Sequence, residues 1–206
     1  MIRPGPGVFL DRDGVLNALV LNPRTGAYES PHRVEDLRVL PEVPRALSLL
    51  LGAGYPLFLV SNQPSYAKGK TPLEQIHAIR DRLERELEGA GIRFRQTFYC
   101  FHHPDGIVPG YSGPCECRKP KPFFVLQAAA AFHLDLGGCW FIGDEGTDIA
   151  CGKAAGCRTI LVEQPLSAHR RGQSRPDFTA PDLLRAAHIV LTLQAKEGAE
   201  PCVRSR

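Results

Sequence analysis

The chain has 206 residues, of which 43% are hydrophobic and 23% are charged, a composition that is typical of a soluble globular protein and excludes wholesale disorder. Its 25 Lys and Arg residues against 22 Asp and Glu residues leave a formal net charge of +3, too small an excess to indicate nucleic-acid binding. No apolar run approaches the ~20 residues of a membrane span, and no signal-peptide pattern precedes the first strand. We therefore expect a cytoplasmic protein without nucleic-acid or membrane partners.

Short apolar runs alternate with helical patterns along the chain. The predicted elements are, in chain order, strand 8–10, helix 41–52, strand 57–60, helix 72–89, strand 97–99, helix 123–133, strand 139–142, helix 148–156, strand 159–162 and a helix from residue 181. Such alternation is typical of a parallel sheet with helices on both faces. We predict an α/β, Rossmann-like fold in one domain spanning 1–206, with its core at about 8–194, an exposed loop at 165–176 and a frayed tail at 195–206.

Polar or metal-ligating residues follow four of the predicted strands. They are Asp11, Ser61, Cys100 and Asp144. In parallel sheets, ligands bind beyond the carboxyl ends of the strands, so these residues predict the position of an active site. Asp11 and Asp13 form the most informative pair, because two carboxylates so placed suit a divalent cation and leave one oxygen available as a nucleophile. The alternative is an ordinary turn with two solvated acids.

A second group of metal-ligating residues follows the third predicted strand. Its members are Cys100, His102, Cys115 and Cys117. Three thiolates and one imidazole match a closed tetrahedral zinc site, and a metal would order the Pro- and Gly-rich loop between them where burial cannot. We predict a structural zinc in the loop 100–117. His103 is the alternative nitrogen donor, and free cysteines beside a chance histidine are the alternative without a metal.

Four motifs occur in a fixed order along the chain. They are Asp11-x-Asp13-Gly14, Ser61, Lys119 and Gly143-Asp144-x-x-x-Asp148. Together they resemble the motifs of the haloacid dehalogenase-like phosphohydrolases, over about residues 8–162. The cysteine and histidine spacing, followed by Arg-Lys-Pro, resembles the small-cap branch that contains heptose bisphosphate phosphatases and histidinol-phosphate phosphatases. The resemblance implies a minimal cap and a zinc-bound loop.

The resemblance also implies a mechanism with an aspartyl-phosphate intermediate. Asp11 attacks the phosphorus, and Asp13 acts first as general acid and then as general base. Mg²⁺ is held by Asp11, the backbone carbonyl of Asp13 and Asp144. Ser61 and Lys119 hold the oxygens of the transferring phosphoryl group.

Two further acidic residues lie in the fourth motif. Asp148 either orients a metal-bound water or caps the helix that begins there. Glu145 stands where the heptose enzymes commonly carry Lys, which reverses a charge beside the metal.

The implied substrate contacts come from three parts of the chain. They are Tyr28, Ser61, Asn62, Gln63, Arg118 and Lys119. The resemblance implies a monomeric phosphatase of phosphorylated sugars that removes the 7-phosphate of D-glycero-D-manno-heptose 1,7-bisphosphate and leaves the 1-phosphate. Histidinol phosphate or another small phosphometabolite is the alternative substrate, and a non-catalytic binding module is the alternative of another class. Arg118 either reaches a remote phosphate or pairs at the surface with Glu116 or Asp105.

Overall fold

The computed structural model describes residues 5–199. In this range the strands are β1 (Val8–Leu10), β2 (Val20–Leu21), β3 (Tyr28–Glu29), β4 (Leu57–Asn62), β5 (Gln96–Cys100), β6 (Trp140–Gly143), β7 (Arg158–Val162) and β8 (Phe178–Ala180). The helices are α1 (Val43–Gly52), α2 (Leu73–Gly89), α3 (Phe123–Phe132), α4 (Gly146–Ala155) and α5 (Leu183–Ala199). Six strands form one sheet in the order β5-β4-β1-β6-β7-β8, and every neighbouring pair is parallel.

Helices cover both faces of this sheet because successive strand residues point to opposite faces. Val8 and Leu10 of β1 pack into a core with α1, α2 and α5, whereas Phe9 packs into a second core with α3 and α4. All three side chains are buried. Strands that are apolar on both faces are typical of a parallel sheet covered on both sides, and the predicted α/β fold is confirmed.

A small antiparallel hairpin of β2 and β3 lies between β1 and α1 and is the minimal cap that was predicted. Each of its strands has two residues, too few for a periodic pattern, so the sequence indicates only a long loop here. Gly26, at the turn, has a φ of 68°, a left-handed conformation that glycine adopts without strain.

Two predicted features at the C-terminal end were wrong in part. Residues 165–176 were expected to form an exposed loop, but Pro165–Arg170 is a 3₁₀-helix in which Ser167 is fully buried. The tail was expected to fray from residue 195, but α5 continues to Ala199, because Ala, Lys and Glu favour helix and Glu197 lies 2.6 Å from Arg158. Residues 200–206 lie outside the described range. Between residues 5 and 199, no helix has the length and apolarity needed to cross a membrane.

Candidate active site

Three buried aspartates meet at the carboxyl edge of the sheet. Strands β1 and β6 are neighbours in register, so Asp11 and Asp144, which directly follow them, lie side by side. Asp148, in the first turn of α4, completes the group, and one carboxylate oxygen from each residue lies within 4.8 Å of the others. The exposed fraction of these residues is 8% or less. Asp148 joins this group although the sequence left its role open.

The electrostatics of this group favour a bound cation. Burial raises the pKa of Asp11 to about 7, although Lys119 opposes the shift. Burial, together with repulsion from Asp11 and Asp148, raises the pKa of Asp144 to about 9. Neither carboxylate oxygen of Asp144 has a hydrogen-bond partner among the residues that the structure describes. Buried, unpaired carboxylate oxygens are the ligands that a hard divalent cation takes, so the donor set fits Mg²⁺.

Gly14 makes room for this group. A Cβ atom at Gly14 would lie 2.3 Å from Oδ2 of Asp144, closer than any side chain tolerates. Its φ of +85° is also left-handed. The glycine that follows the aspartate pair is therefore required both by the turn and by the close approach of β6.

Lys119 neutralises part of the negative charge of the aspartate group. Its ammonium lies 2.6 Å from Oδ1 of Asp11 and 2.7 Å from Oδ1 of Asp148, and it donates a hydrogen bond to the carbonyl of Val60. Burial opposes the charge of this side chain, but the two aspartates outweigh that cost and raise the pKa of Lys119 above its usual range. Asp148 also accepts a hydrogen bond from the backbone N–H of Glu145, which caps α4. The capping role proposed for Asp148 is thus present.

Asp13 is held away from the other aspartates by three hydrogen-bond donors. Arg12 lies 2.9 Å from both of its carboxylate oxygens, Nε2 of Gln63 donates across 2.6 Å, and Nδ2 of Asn17 donates across 2.9 Å. Arg12 is fully buried. The sequence analysis did not assign Arg12 or Asn17 to the site. Neither the Arg between Asp11 and Asp13 nor the Asn four positions after Asp13 belongs to a motif that indicates a functional role.

Ser61 and Asn62, at the end of β4, and Gln63, directly after it, link Asp13 to the lysine. Ser61 accepts a hydrogen bond from Gln63 across 2.9 Å, and both residues are buried. The amide of Asn62 exchanges two hydrogen bonds with the backbone of Lys119, at 3.1 and 3.2 Å, and so holds the peptide that carries the ammonium. Asn62 also lines the cavity described next.

A cavity of about 340 Å³ opens above the aspartates. Its lining includes Asp11, Asp13, Lys119 and, around the rim, four basic side chains from three loops. Those basic residues are Lys68, Lys70, Arg118 and Arg170. The sequence analysis assigned only Arg118 among them. A concave site with several cations above a carboxylate group suits an anionic small molecule.

The hairpin forms one side of this cavity. Ala27, Glu29 and Ser30 line the cavity, whereas Tyr28, which was expected to face the substrate, does not. Glu29, its neighbour on β3, points to the opposite face of the hairpin because side chains alternate along a strand. The carbonyl of Tyr28 instead accepts a hydrogen bond from Arg170.

The four predicted zinc ligands lie together beside the cavity. The three sulfur–sulfur distances are 3.3, 3.6 and 3.7 Å. Nδ1 of His102 lies 3.6 Å from the sulfur of Cys117 and 3.9 Å from that of Cys100. A tetrahedral zinc with bonds of ~2.3 Å separates its sulfur ligands by about 3.8 Å, so the cluster fits this metal. His103 is turned away, and its Nδ1 accepts a hydrogen bond from the backbone of Asp105.

Arg118 stands between the two groups of ligands. It donates a hydrogen bond to the carbonyl of His102 across 3.3 Å and lines the cavity. Glu116, one of its expected surface partners, instead pairs with Lys121 at 2.7 Å. Within residues 5–199, no acidic group lies within ion-pair distance of Arg118, so its charge faces the cavity unpaired.

Comparison with known proteins agrees with this geometry. A protein of Thermosynechococcus vestitus named D-glycero-D-manno-heptose-1,7-bisphosphate 7-phosphatase is 36% identical over 92% of this chain and 97% of its own length. The chain belongs to this phosphatase family. A relative in Photorhabdus laumondii that is named for the α-anomer is 33% identical over 75% of this chain and 81% of its own length. A relative in Yersinia pestis that is named for the β-anomer is 30% identical over 86% of this chain and 91% of its own length.

The family model described as HAD-hydrolase-like matches residues 116–186, which include Lys119, Asp144 and Asp148. Among solved structures, the D,D-heptose 1,7-bisphosphate phosphatase of B. bronchiseptica, complexed with magnesium and phosphate, is 28% identical with a TM-score of 0.75. The match covers 91% of this chain and 99% of that one. As a member of this phosphatase family, the chain is a phosphoric monoester hydrolase.

Proposed function

We propose that the protein removes the 7-phosphate from D-glycero-D-manno-heptose 1,7-bisphosphate and leaves the 1-phosphate. The observation that carries the proposal is the buried Asp11, held 2.6 Å from Lys119 at the floor of a cavity whose rim is basic. The names of relatives that align over nearly the whole chain support the sugar bisphosphate.

Asp11 is the nucleophile in this proposal. One of its carboxylate oxygens forms a bond to phosphorus while the bond from phosphorus to the sugar oxygen breaks, and Asp13 donates the proton that the departing alkoxide takes up. Asp13 then removes a proton from the water that attacks the aspartyl phosphate, which releases inorganic phosphate and restores both carboxyl groups. The donors Arg12, Asn17 and Gln63 hold Asp13 in place for both steps.

Lys119 and Ser61 stabilise the phosphoryl group as it moves. Phosphoryl transfer needs mostly positioning and charge neutralisation, which an ammonium at 2.6 Å from the nucleophile supplies. Asp11, Asp144 and the backbone carbonyl of Asp13 would hold Mg²⁺, which, when bound, reduces the repulsion between the carboxylate and the phosphate. Asp148 keeps Lys119 in place through their ion pair.

The cysteine and histidine cluster would hold a structural zinc. Three thiolates and one imidazole leave no coordination position for a substrate, so this metal orders the loop and takes no part in the reaction. Because Arg118 directly follows the ligand Cys117, the ordered loop places a guanidinium at the rim of the cavity. There it can bind the phosphate that is not cleaved. We expect the enzyme to act as a cytoplasmic monomer.

The decisive experiment is phosphate release from a panel of esters by the purified protein with Mg²⁺. The panel holds the α- and β-anomers of the heptose 1,7-bisphosphate, fructose 1,6-bisphosphate, histidinol phosphate and p-nitrophenyl phosphate. We expect the highest kcat/KM for one heptose anomer, with the 1-phosphate as product. A higher kcat/KM for histidinol phosphate would overturn the substrate, and no release from any ester would overturn the reaction.

A further inference from the structure

The hairpin of β2 and β3 is fastened at two points. On one side, the ammonium of Lys70 lies 2.8 and 2.7 Å from the two carboxylate oxygens of Glu29, and Nε2 of His32 lies 3.0 Å from the same carboxylate. On the other side, Nη2 of Arg170 donates a hydrogen bond to the carbonyl of Tyr28. The hairpin is therefore held at one side of the cavity by two basic residues from different loops.

Arg170 is itself held by a partner on the sheet side. Its Nη1 lies 2.8 Å from Oε1 of Glu145, the residue that precedes α4, and about 30% of each side chain is exposed. The backbone of the loop is fixed at the same point, because a Cβ atom at Gly146 would lie 2.4 Å from the carbonyl oxygen of Arg171. The loop that carries Arg170 is thus packed directly against the start of α4. This contact fixes the backbone position from which the Arg170 side chain extends.

We propose that Arg170 is a positioning residue that determines substrate specificity by fastening the hairpin over the active site. Its planar guanidinium connects two acceptors, the carboxylate of Glu145 and the carbonyl of Tyr28, that belong to different parts of the chain. The hairpin residues Ala27, Glu29 and Ser30 then form one side of the cavity in a fixed place. Glu145, which also lines the cavity, acts through Arg170 by holding the guanidinium.

This role separates binding of a large substrate from the chemical step. Asp11 and Lys119 are held by the sheet and by Val60 and Asp148, not by the hairpin. Loss of Arg170 should therefore leave the chemistry of a small ester intact. A sugar bisphosphate fills the cavity up to the hairpin, so its binding depends on where the hairpin lies. This part rests on the proposed function.

Limited proteolysis tests the fastening without any substrate. Arg24 is exposed in the turn between β2 and β3, and trypsin can cut after it only when the hairpin opens locally. Mass spectrometry identifies this cut, and Arg24→Gln, which lacks the site, should not show it. In Arg170→Ala we expect the cut to form about tenfold faster, because the variant loses a hydrogen bond from a charged group that stabilises the closed hairpin. Lys153→Ala is the matched control, because it removes a 3.1 Å ion pair with Asp177 away from the cavity.

Steady-state kinetics tests the consequence for specificity. In Arg170→Ala, KM for the sugar bisphosphate should rise about tenfold, while kcat for p-nitrophenyl phosphate stays within twofold of the parent value. Arg170→Lys should recover part of both effects, since a lysine ammonium keeps the charge but lacks the planar guanidinium that bonds both acceptors. Glu145→Ala should change both readouts in the same direction and should add little in the Arg170→Ala background, because its carboxylate holds the guanidinium.

Each other outcome overturns the proposal. A raised KM with an unchanged rate of cutting would mean that Arg170 contacts the substrate and does not fasten the hairpin. Faster cutting with an unchanged KM would mean that the hairpin has no part in specificity. If Arg170→Ala fails to fold, Glu145→Ala gives the same two readouts. If the parent enzyme does not act on a sugar bisphosphate, the proposed function fails, whereas the proteolysis result still decides whether Arg170 fastens the hairpin.

Discussion

Two groups of metal-ligating side chains lie at the same edge of the sheet, but they are built differently. The aspartate group follows β1 and β6, the two central strands, and all three members are buried. The cysteine and histidine group begins at the end of β5, the outermost strand on its side. Only Cys100 in that group is buried, and the other three come from a loop and are half-buried.

The difference shows what holds each group together. Packing between strands and helices keeps the aspartates close despite their mutual repulsion, and burial raises the pKa values of Asp11 and Asp144. The loop 101–117 has no comparable core, so Cys115 and Cys117 need a metal to stay at 3.3 to 3.7 Å from Cys100 and from each other. We therefore expect substitutions in the first group to stop the reaction and substitutions in the second to weaken the fold.

The largest expected effect is that of Asp11→Asn. An amide cannot form the aspartyl phosphate, so phosphate release should fall by at least about a thousandfold for every ester. Thermal unfolding should change by only a few degrees, because the substitution also relieves repulsion with Asp148. Asp81→Asn, on the exposed face of α2, is the matched control and should behave like the parent. A well-folded Asp11→Asn protein that still releases phosphate would end the nucleophile assignment.

Asp13→Asn should separate two kinds of substrate. Without a general acid, kcat for a sugar phosphate should fall by about a hundredfold or more, since an alkoxide leaves poorly without a proton. The first step with p-nitrophenyl phosphate should be much less affected, because p-nitrophenolate leaves readily without one. Burst kinetics with that ester measures this step directly. An equal loss of the first step for both esters would assign the proton to another donor.

Parts of the aspartate and zinc groups can be predicted from the sequence because they are encoded in short motifs. Asp11 and Asp13 are two positions apart, Cys115 and Cys117 likewise, and each pair stands next to a strand or a distinctive loop. The structure places the four zinc candidates together, with His102 rather than His103 beside the thiolates. It brings Asp11 and Asp144 together as expected, but with Asp148 rather than Asp13 as the third carboxylate.

The basic rim and the hairpin could not be predicted in the same way. Arg170 reaches the cavity only because a 3₁₀-helix packs against the start of α4, a contact between segments 25 residues apart. Tyr28 was assigned to the substrate from resemblance, but the register of a two-residue strand decides which side chain faces inward. Arg12 is buried where Asp13 and Gln63, which are far apart in the chain, accept hydrogen bonds from its Nε and Nη2.

Cys115→Ser tests the second half of the comparison. Loss of one thiolate should release zinc and lower the midpoint of thermal unfolding by about 10 °C, which corresponds to about 3 kcal/mol in a chain of this size. The kcat for p-nitrophenyl phosphate, measured well below the new midpoint, should remain within a few fold. Elemental analysis of protein purified without chelator should find one zinc per parent chain and less in the variant. Cys151→Ser, a buried cysteine outside the cluster, is the matched control for zinc content.

The smallest effect concerns the place where the two groups join. Cys117 belongs to the zinc cluster and Lys119 to the aspartate group, and Arg118 lies between them with its charge toward the cavity. Lys119→Ala should lower kcat for every phosphate ester, because the ammonium neutralises the nucleophile and the transferring group alike.

Arg118→Ala should instead change the choice of substrate. The lost charged hydrogen bonds, worth about 1–3 kcal/mol, should raise KM for a sugar bisphosphate by about tenfold or more and leave p-nitrophenyl phosphate unaffected. Lys121→Ala removes a nearby charge that pairs with Glu116 at the surface, so it should alter neither ester. Equal losses for both esters in Arg118→Ala would show that the arginine contributes to the shared chemistry and not to recognition of the second phosphate. The zinc loop would then stabilise the fold without contributing to specificity, and the two groups of ligands would be independent of each other.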